Sequence, residues 1–272
     1  MTPRLSIIVV NFNGHGHLDA CLRSLAAHPP AVPAEIVVVD NASTDGSAAI
    51  VESFAGMRLI QLPVNVGFSA GNNAGIRVTQ SELVLLLNND TVVPAGALDR
   101  LVGRLDADPA AAIAGPRLVD AGGAAELSFG PMISPLGELR QKIIGSLSAR
   151  GVAPVRQWVE RTTRREQYVD WVSGACLLVR RDVAEAAGLL DERFFLYTED
   201  VDFCASVRAR GRKVLFTPAA EILHLRGRSR STVPGQMNAA YRRSHLAFYE
   251  KHHPRMAPLL KAYLRMRRQL PT

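Results

Sequence analysis

The chain has 272 residues, of which 47% are hydrophobic and 21% charged. This composition is typical of a globular protein and excludes a disordered chain or a coiled coil. The three cysteines, Cys21, Cys176 and Cys204, form no C-x-x-C pair, which excludes a disulfide scaffold and a zinc ribbon and favours a reducing cytoplasm. No apolar run approaches the roughly 18 residues of a membrane span, so we expect a cytoplasmic protein.

The net charge of +7 is distributed unevenly along the chain. Residues 205–272 carry fifteen Lys and Arg against Glu221 and Glu250, a net charge of +13, so residues 1–204 carry −6. Such asymmetry predicts a body that performs chemistry and a tail that meets an anionic partner. Nucleic acid, a membrane surface and a phosphorylated substrate all fit, and a solvated basic face is the plain alternative.

Short apolar runs alternate with helical patterns in the first half of the chain. The predicted strands, at 5–10, 35–40, 58–62 and 82–88, are continuous apolar runs and therefore indicate burial on both faces. A helix between the first two strands is indicated by apolar residues at helical spacing: Leu18, Cys21, Leu22 and Leu25. A further helix follows Pro94, which suits a first-turn position. This alternation predicts an α/β sheet, mostly parallel, with ligands beyond the carboxyl ends of its strands.

The second half is less regular. Gly, Pro and Ser clusters over about 120–168 predict a loop region, and 168–183 predicts a strand running into a helix. A helix near Thr198 and one or two strands over 214–225 follow. The predicted division is a catalytic domain of residues 1–235 and a basic amphipathic helical tail of residues 236–272. The apolar side of that tail comprises Leu246, Phe248, Tyr249, Leu259, Leu260, Tyr263 and Leu264.

Polar residues follow three of the predicted strands. They are Asn11 and Asn13, then Asp40 and Asn41, then Asn88, Asn89 and Asp90. Each alone could be a turn or cap residue, but together they predict one polar crevice at the sheet edge. The sequence has neither a G-x-G-x-x-G nor a P-loop phosphate cradle. A divalent cation held by Asp90 would neutralise a diphosphate in such a crevice.

Six motifs occur in order along about residues 4–230: LSIIVVNFNG, VVVDNASTDGS, NVGFSAGNNAGI, LLLNNDT, WVSGACLLVRR and FFLYTEDVDFC. This series resembles the inverting family 2 glycosyltransferases of the GT-A fold, most closely the bacterial rhamnosyltransferase-like branch. The resemblance implies a nucleotide-sugar site in which Asp40 reads the nucleobase. The other implied nucleotide-sugar residues are Asn11, Phe12, Asn13, Gly67, Gly71, Asn72, Asn73 and Asn89.

The resemblance also implies a divalent metal, Mg²⁺ or Mn²⁺. The D-x-D metal motif of the family maps to 88–90, but Asn88 stands where the first acid is expected. Asp90 is then the implied metal ligand, and His224 is a second one. A histidine hydrogen-bonded to the backbone at a strand end is the structural alternative for His224.

The acid pair Glu199–Asp200 aligns with the E-D motif of the family. An inverting transfer is a single displacement in which the acceptor hydroxyl loses its proton, so one general base suffices. Asp200 is the implied base and Glu199 the alternative, although acids in the first turn of a helix also complement its dipole. Trp171 and Gly174 would line the sugar or acceptor site, unless Trp171 is a core residue.

The resemblance predicts transfer of L-rhamnose from dTDP-rhamnose to a saccharide or a lipid-linked cell-envelope glycan. The basic tail would then contact the inner face of the cell membrane, or else pack on the catalytic domain. The alternatives are a sugar-1-phosphate nucleotidyltransferase and a non-catalytic module that binds nucleotide sugar or nucleic acid. At 6% aromatic residues the chain has few stacking groups, so we expect no nucleic-acid partner.

Overall fold

The computed structural model describes residues 2–134, 150–225, 234–267 and 269–270, together with 137, 143–144 and 146–147. Within these residues a mixed sheet of nine strands runs in the order β3-β2-β1-β4-β10-β6-β11-β5, with β8 also paired to β11, and β7 and β9 form a separate two-stranded sheet. The strands are β1 (Leu5–Asn11), β2 (Ala34–Asp40), β3 (Met57–Gln61), β4 (Leu83–Asn88), β5 (Thr91–Val92), β6 (Ala111–Val119), β7 (Phe129–Gly130), β8 (Gln167–Val169), β9 (Trp171–Val172), β10 (Cys176–Arg180) and β11 (Lys213–His224).

Helices cover both faces of the large sheet. They are α1 (His15–Ala27), α2 (Ser47–Glu52), α3 (Gly67–Arg77), α4 (Ala97–Asp106), α5 (Ala153–Thr162), α6 (Arg181–Ala186), α7 (Glu199–Arg208), α8 (Pro234–His252) and α9 (Ala257–Met266). Successive residues of β4 point to opposite faces, so Leu85 joins one apolar cluster and Leu86 the other. Both faces are buried, which is why the strands are apolar without alternation.

The α/β fold predicted from the sequence is confirmed. Strands β1 to β4 pair in parallel, and β10 enters antiparallel between β4 and β6. The predicted loop over 120–168 is wrong in part, because it contains α5, where Val155, Trp158 and Val159 follow helical spacing and Val159 is buried. Pro94 precedes α4 by three residues instead of lying in its first turn.

The segment 168–183 was also more divided than a single strand running into a helix. Its residues form β8, β9 and β10 before α6 begins. The division arises because β8 pairs with β11 whereas β9 pairs with β7 in the small sheet. The chain therefore changes sheets at Asp170 and returns to the large sheet after Gly174.

The tail consists of two helices that differ in burial. On α8 the side chains of Phe248 and Tyr249 are buried in a third apolar cluster together with Phe194, which precedes α7. On α9 Leu264 is buried, but Leu259 and Tyr263 are exposed. The two alternatives for the tail, packing and a free apolar face, are therefore divided between α8 and α9. Of the helices described, none has both the length and the apolar character needed to cross a bilayer.

All three cysteines are buried and unpaired. Cys21 lies in α1, with its Sγ 3.7 Å from the carbonyl oxygen of Asn88, Cys176 begins β10 and Cys204 lies in α7. Burial raises the pKa of the Cys21 thiol to about 12. It raises the pKa values of Cys176 and Cys204 as well.

Candidate active site

Side chains at the ends of β1, β2 and β4 form one hydrogen-bonded group, which we call the strand-end network: Asn11, Asp40, Ser43 and Asn89. The parallel register places Asn11 beside Asp40. Asn11 Nδ2 donates to Asp40 Oδ1 over 3.3 Å and to Ser43 Oγ over 3.1 Å. Asn11 Oδ1 accepts from Asn89 Nδ2 at 2.6 Å. Three residues predicted from different motifs therefore meet at one edge of the sheet.

The loops after β1 and β2 close around this network. Asn13, with φ of 49°, accepts the backbone N–H of Thr44 on its Oδ1 at 2.8 Å. The Ser43 N–H donates to Asp40 Oδ2 at 3.1 Å. Phe12 is 48% exposed beside these loops, so an aromatic face is open where a planar ring could stack.

Asn41 joins the loop after β2 to the start of α3. Its Nδ2 donates to the Gly67 carbonyl at 3.0 Å, and its Oδ1 accepts the Val66 N–H at 2.9 Å. Gly67 has a φ of +88°, and a Cβ there would lie 2.5 Å from the carbonyl oxygen of Phe195. Only glycine combines this left-handed backbone with so close an approach.

The other α3 residues that the resemblance assigns to the nucleotide-sugar site make different contacts within the protein. Gly71 lets the helix pack on β1, because a Cβ there would lie 2.9 Å from Val10 Cγ1. The Asn73 amide bonds to both Leu190 backbone groups and to Glu192, so it anchors the chain after α6. Asn72 Nδ2 donates to the Phe68 carbonyl, whereas the buried Asn72 Oδ1 has no hydrogen-bond partner among the described residues.

Asp90 and His224 meet because β5 pairs with the end of β11. The register sets His224 opposite Thr91, and His224 Nε2 lies 3.3 Å from Asp90 Oδ1. On the other side of the ring, Nδ1 lies 3.1 Å from Glu126 Oε2. Burial alone would lower the pKa of His224, but the hydrogen bonds and charges of these two carboxylates outweigh it and raise that pKa to about 9.

The oxygen and imidazole donors of Asp90 and His224 fit a divalent cation that takes its other ligands from outside the protein. The described residues hold no group of three or more His, Cys, Asp and Glu arranged for a metal, so protein donors alone would leave most positions of an ion open. Two ligands of an octahedral ion with bonds of about 2.1 Å lie about 3 Å apart, close to the 3.3 Å between Asp90 Oδ1 and His224 Nε2. Glu126 is placed to orient the imidazole from behind, as outer carboxylates do for metal-bound histidines.

Asp200 lies on the first turn of α7 and is tied to the end of β4. Its Oδ2 accepts the Gly174 N–H at 2.9 Å and its Oδ1 the Val201 N–H at 2.8 Å. The next residue after Gly174, Ala175, accepts the N–H of Asn88 at 2.9 Å. Burial raises the pKa of Asp200, and the two backbone N–H groups offset part of that rise. A carboxylate with a raised pKa is better suited to accept a proton near neutral pH.

Glu199, one residue earlier, is 6% exposed. Burial and then the charge of Asp200 raise the pKa of Glu199 well above its ordinary value, which favours its protonated form. We call residues 194–202 the base segment. Within it Tyr197 and Thr198 have φ of 70° and 64°, a strained backbone that costs on the order of 1–3 kcal/mol per residue. Among the described residues, Thr198 Oγ1 and Glu199 Oε2 are buried without a hydrogen-bond partner.

Trp171 is partly buried and packs against two of the apolar clusters. Its indole N–H donates to the Pro131 carbonyl at 2.9 Å, so the core reading of this residue has direct support. Gly174 is nearer the candidate base: a Cβ there would lie 3.3 Å from Asp200 Cβ. The close approach lets its backbone N–H reach the carboxylate.

Sequence reasoning missed several residues of the site. Glu126 stands alone in a Gly- and Ala-rich stretch, and the bridge between Val119 and Ala125 helps to bring it to His224. Asn41 was predicted to lie in the polar crevice or in a turn, and its bonds to Val66 and Gly67 at the start of α3 were not foreseen. No sequence pattern indicated His252, whose Nε2 lies 2.6 Å from Asp202 Oδ1.

Comparison with known proteins identifies the family. The model of Glycosyl transferase family 2 matches residues 6–185, which contain the strand-end network and Asp90. The chain belongs to glycosyl transferase family 2. It is 29% identical over 265 residues to an N-acetylglucosaminyl-diphospho-decaprenol L-rhamnosyltransferase of Mycobacterium tuberculosis, covering 93% of this chain and 86% of that protein.

Two further proteins extend the comparison. A low-salt glycan biosynthesis hexosyltransferase, Agl10, of Haloferax volcanii is 28% identical over 82% of this chain and 68% of its own. The mannosyltransferase PcManGT of Pyrobaculum calidifontis, solved with GDP-Man and Mn²⁺, superposes with a TM-score of 0.62 at 18% identity over 97% of this chain and 69% of its own. This family 2 glycosyltransferase therefore has the GT-A fold that the resemblance implied.

Proposed function

We propose that this glycosyltransferase transfers a sugar with inversion from a nucleoside diphosphate donor to a saccharide on a lipid diphosphate. The donor we propose is dTDP-L-rhamnose, since the Mycobacterium tuberculosis relative is named as an L-rhamnosyltransferase. The observation that carries the proposal is the link from Asp200 through Gly174 and Ala175 to Asn88. It puts a carboxylate of raised pKa at the strand end where Asp90 and the strand-end network lie.

The nucleoside would lie over the strand-end network. Asp40 and Asn11 offer hydrogen-bonding groups, and the exposed ring of Phe12 offers a stacking face. The network is already hydrogen-bonded internally, so little side-chain freedom would be lost on binding. Asn13 and Asn89 hold the loop and the network in place.

Asp90 and His224 would hold the divalent cation, with Glu126 orienting the imidazole. When bound, the cation would neutralise the diphosphate and stabilise it as a leaving group. The proton on His224, which the two carboxylates favour, must leave before the ring can serve as a ligand. The orienting role of Glu126 remains useful after that loss, because Nδ1–H can still donate to it.

Asp200 would take the proton of the acceptor hydroxyl as that oxygen attacks the anomeric carbon. The Gly174 and Val201 N–H groups fix both carboxylate oxygens in place, which restricts the direction from which a hydroxyl can approach. Glu199, protonated, would leave Asp200 as the charged member of the pair. The exposed part of the Trp171 ring is a candidate surface for the acceptor sugar.

The exposed apolar residues of α9 support contact with a membrane that carries the acceptor. Leu259, Tyr263 and Met266 are 68%, 49% and 76% exposed and lie on one side of the helix. Arg255 and Arg265 are exposed beside them. Cations at an anionic leaflet contribute about 1 kcal/mol each, and an inserted apolar side adds a salt-resistant part. The face of α9 would therefore lie on the inner leaflet of the cell membrane.

Thermal melting against a panel of nucleotide sugars, with and without Mn²⁺, tests the donor. We expect the largest stabilisation from dTDP-L-rhamnose with the metal. A lipid-linked N-acetylglucosaminyl diphosphate should then gain one sugar, with the anomeric configuration inverted by NMR and nucleoside diphosphate released. Release of pyrophosphate from a nucleoside triphosphate instead would indicate a sugar-1-phosphate nucleotidyltransferase. Donor binding without any transfer would indicate a non-catalytic module.

Co-sedimentation with anionic vesicles tests the membrane contact. The variant Leu259→Ser/Met266→Ser should sediment less than the wild type at high salt, where the cations are screened. Its activity on a short soluble acceptor should equal that of the wild type. Equal sedimentation of both proteins at high salt would contradict insertion of α9.

A further inference from the structure

Helix α8 contacts the base segment immediately before its strained residues. Ser244 Oγ donates to the Leu196 carbonyl at 2.7 Å. The ring of Tyr241 meets that of Tyr197 edge-on, with 5.8 Å between centroids. Helix α3 holds the two preceding carbonyls, since Ser69 Oγ donates to Phe194 and the Phe68 N–H to Phe195, each at 2.7 Å. Three successive carbonyls are therefore fixed from outside the segment.

Helix α8 contacts the base segment a second time just after Asp200. Asp202 is 1% exposed, and both of its carboxylate oxygens are taken by α8. Lys251 Nζ lies 2.9 Å from Oδ2, and His252 Nε2 lies 2.6 Å from Oδ1. A buried carboxylate needs such partners, so this end of α7 is held in one place by the tail.

An apolar contact lies between these two polar ones. Phe248 is completely buried and belongs to the cluster that contains Phe194 and Val201. Val201 directly follows Asp200 and gives its N–H to that carboxylate. Helix α8 thus grips the chain on both sides of the Glu199–Asp200 pair without itself reaching the pair in any described contact.

We propose that α8 is a positioning element for the catalytic carboxylate, with Ser244 and Lys251 as its positioning residues. The proposal rests on the proposed function, in which Asp200 is the base. A left-handed backbone at Tyr197 and Thr198 persists only where the surroundings hold it. When the grip loosens, the segment relaxes and Asp200 moves. A displaced base lowers the rate of the chemical step and leaves donor affinity unchanged, because the base acts only on the acceptor proton.

Two variants of the full chain test the grip at its two ends. Ser244→Ala removes the hydroxyl donor to Leu196, and Asp202→Asn/Lys251→Met removes the Asp202–Lys251 ion pair together with the ion pair of Lys251 with Asp191. Arg164→Met is the matched control, because it breaks an exposed ion pair with Glu160 elsewhere on the molecule. Each protein is assayed with a short soluble acceptor, so that membrane contact plays no part.

We expect kcat to fall about tenfold in both test variants, with the KM for donor within about twofold of the wild type. The Arg164→Met control should keep wild-type kcat. Wild-type kcat in Ser244→Ala, or a raised donor KM with unchanged kcat, would overturn the proposal. If the double variant does not fold, Ser244→Ala decides alone. Asp200→Asn, assayed in parallel, separates the two proposals. If this variant keeps wild-type activity, Asp200 is not the base and the proposed function is refuted. If it is inactive while both test variants are fully active, only the positioning role of α8 is refuted.

Discussion

The strand-end network and the base segment are linked through Gly174 and Ala175 to the end of β4 but are built differently. In the network, the side chains of Asn11, Asp40 and Asn89 satisfy one another by hydrogen bonds. In the base segment, Thr198 Oγ1 and Glu199 Oε2 are buried without a partner among the described residues, and two successive residues have a left-handed backbone. The hydrogen bonds of the strand-end network are therefore made before any ligand binds, whereas the base segment has unpaired polar atoms and a strained backbone.

This difference matches the two tasks of a glycosyltransferase. Donor binding gains from a preformed surface, because less ordering is left to occur on binding. The chemical step needs a carboxylate that is shielded from water and has a shifted pKa. The free-energy cost of burying that carboxylate must be offset by the rest of the fold. Changes in the network should therefore affect binding, and changes in the base segment should affect turnover and stability.

The largest expected effect is on turnover. Asp200→Asn removes the base while keeping shape and size, so kcat should fall by about 10²–10⁴. Calorimetric titration should give nucleoside diphosphate affinity equal to that of the wild type. In the wild type, burial raises the pKa of Asp200, so kcat should rise with pH through a value above that of an ordinary aspartate. Wild-type turnover in Asp200→Asn together with an inactive Glu199→Gln would assign the base to Glu199.

The metal site should give the next largest effect. Asp90→Ala should abolish the stabilisation that Mn²⁺ adds to nucleoside diphosphate binding, measured as a shift in Tm. Glu126→Gln keeps both proposed ligands and should weaken Mn²⁺ binding by about 10–100-fold, the usual effect of losing an orienting carboxylate. A full Mn²⁺ response in Asp90→Ala would place the cation elsewhere.

Substitutions in the strand-end network should weaken nucleoside binding and leave metal binding unchanged. Asp40→Ala removes a hydrogen-bonding carboxylate and should weaken nucleoside binding about tenfold even in EDTA. Phe12→Ala tests the stacking face in the same titration. Unchanged affinity for a nucleoside in both variants would show that the nucleobase binds elsewhere, whatever the metal experiments give.

The smallest expected effect is on stability, which a change in the base segment should raise, whereas the changes above lower activity or binding. Burial and Asp200 raise the pKa of Glu199 well above its ordinary value, so the folded protein keeps a proton that the unfolded chain releases. Stability therefore falls as pH rises from the unfolded-state pKa to the raised folded-state pKa. Glu199→Gln cannot ionise, so its Tm at pH 7 should exceed that of the wild type by roughly 2–4 °C, the shift that about 1 kcal/mol produces. The difference should vanish near pH 4.

Much of this comparison was predictable from the sequence, but unevenly. The four parallel strands and the polar residues at their ends follow from apolar runs and the residues that end them, because both are local patterns. Glu126 and Lys251 were not predictable, because they reach His224 and Asp202 from 98 and 49 positions away along the chain. The tail shows the same limit: its amphipathic pattern is real, yet the pattern cannot say that α8 packs on the domain while part of α9 stays exposed.

The three buried cysteines make the strand-end network and the base segment separately observable. Cys21 and Cys176 flank β4 below the strand-end network, and Cys204 lies on α7 beside the base segment. Since a buried thiol of raised pKa reacts with an alkylating reagent only after local opening, the rate at which each one is labelled reports the opening of its own surroundings. Mass spectrometry of a partly labelled native sample would thus give the opening rates of both regions in one experiment, with no cysteine introduced by mutation.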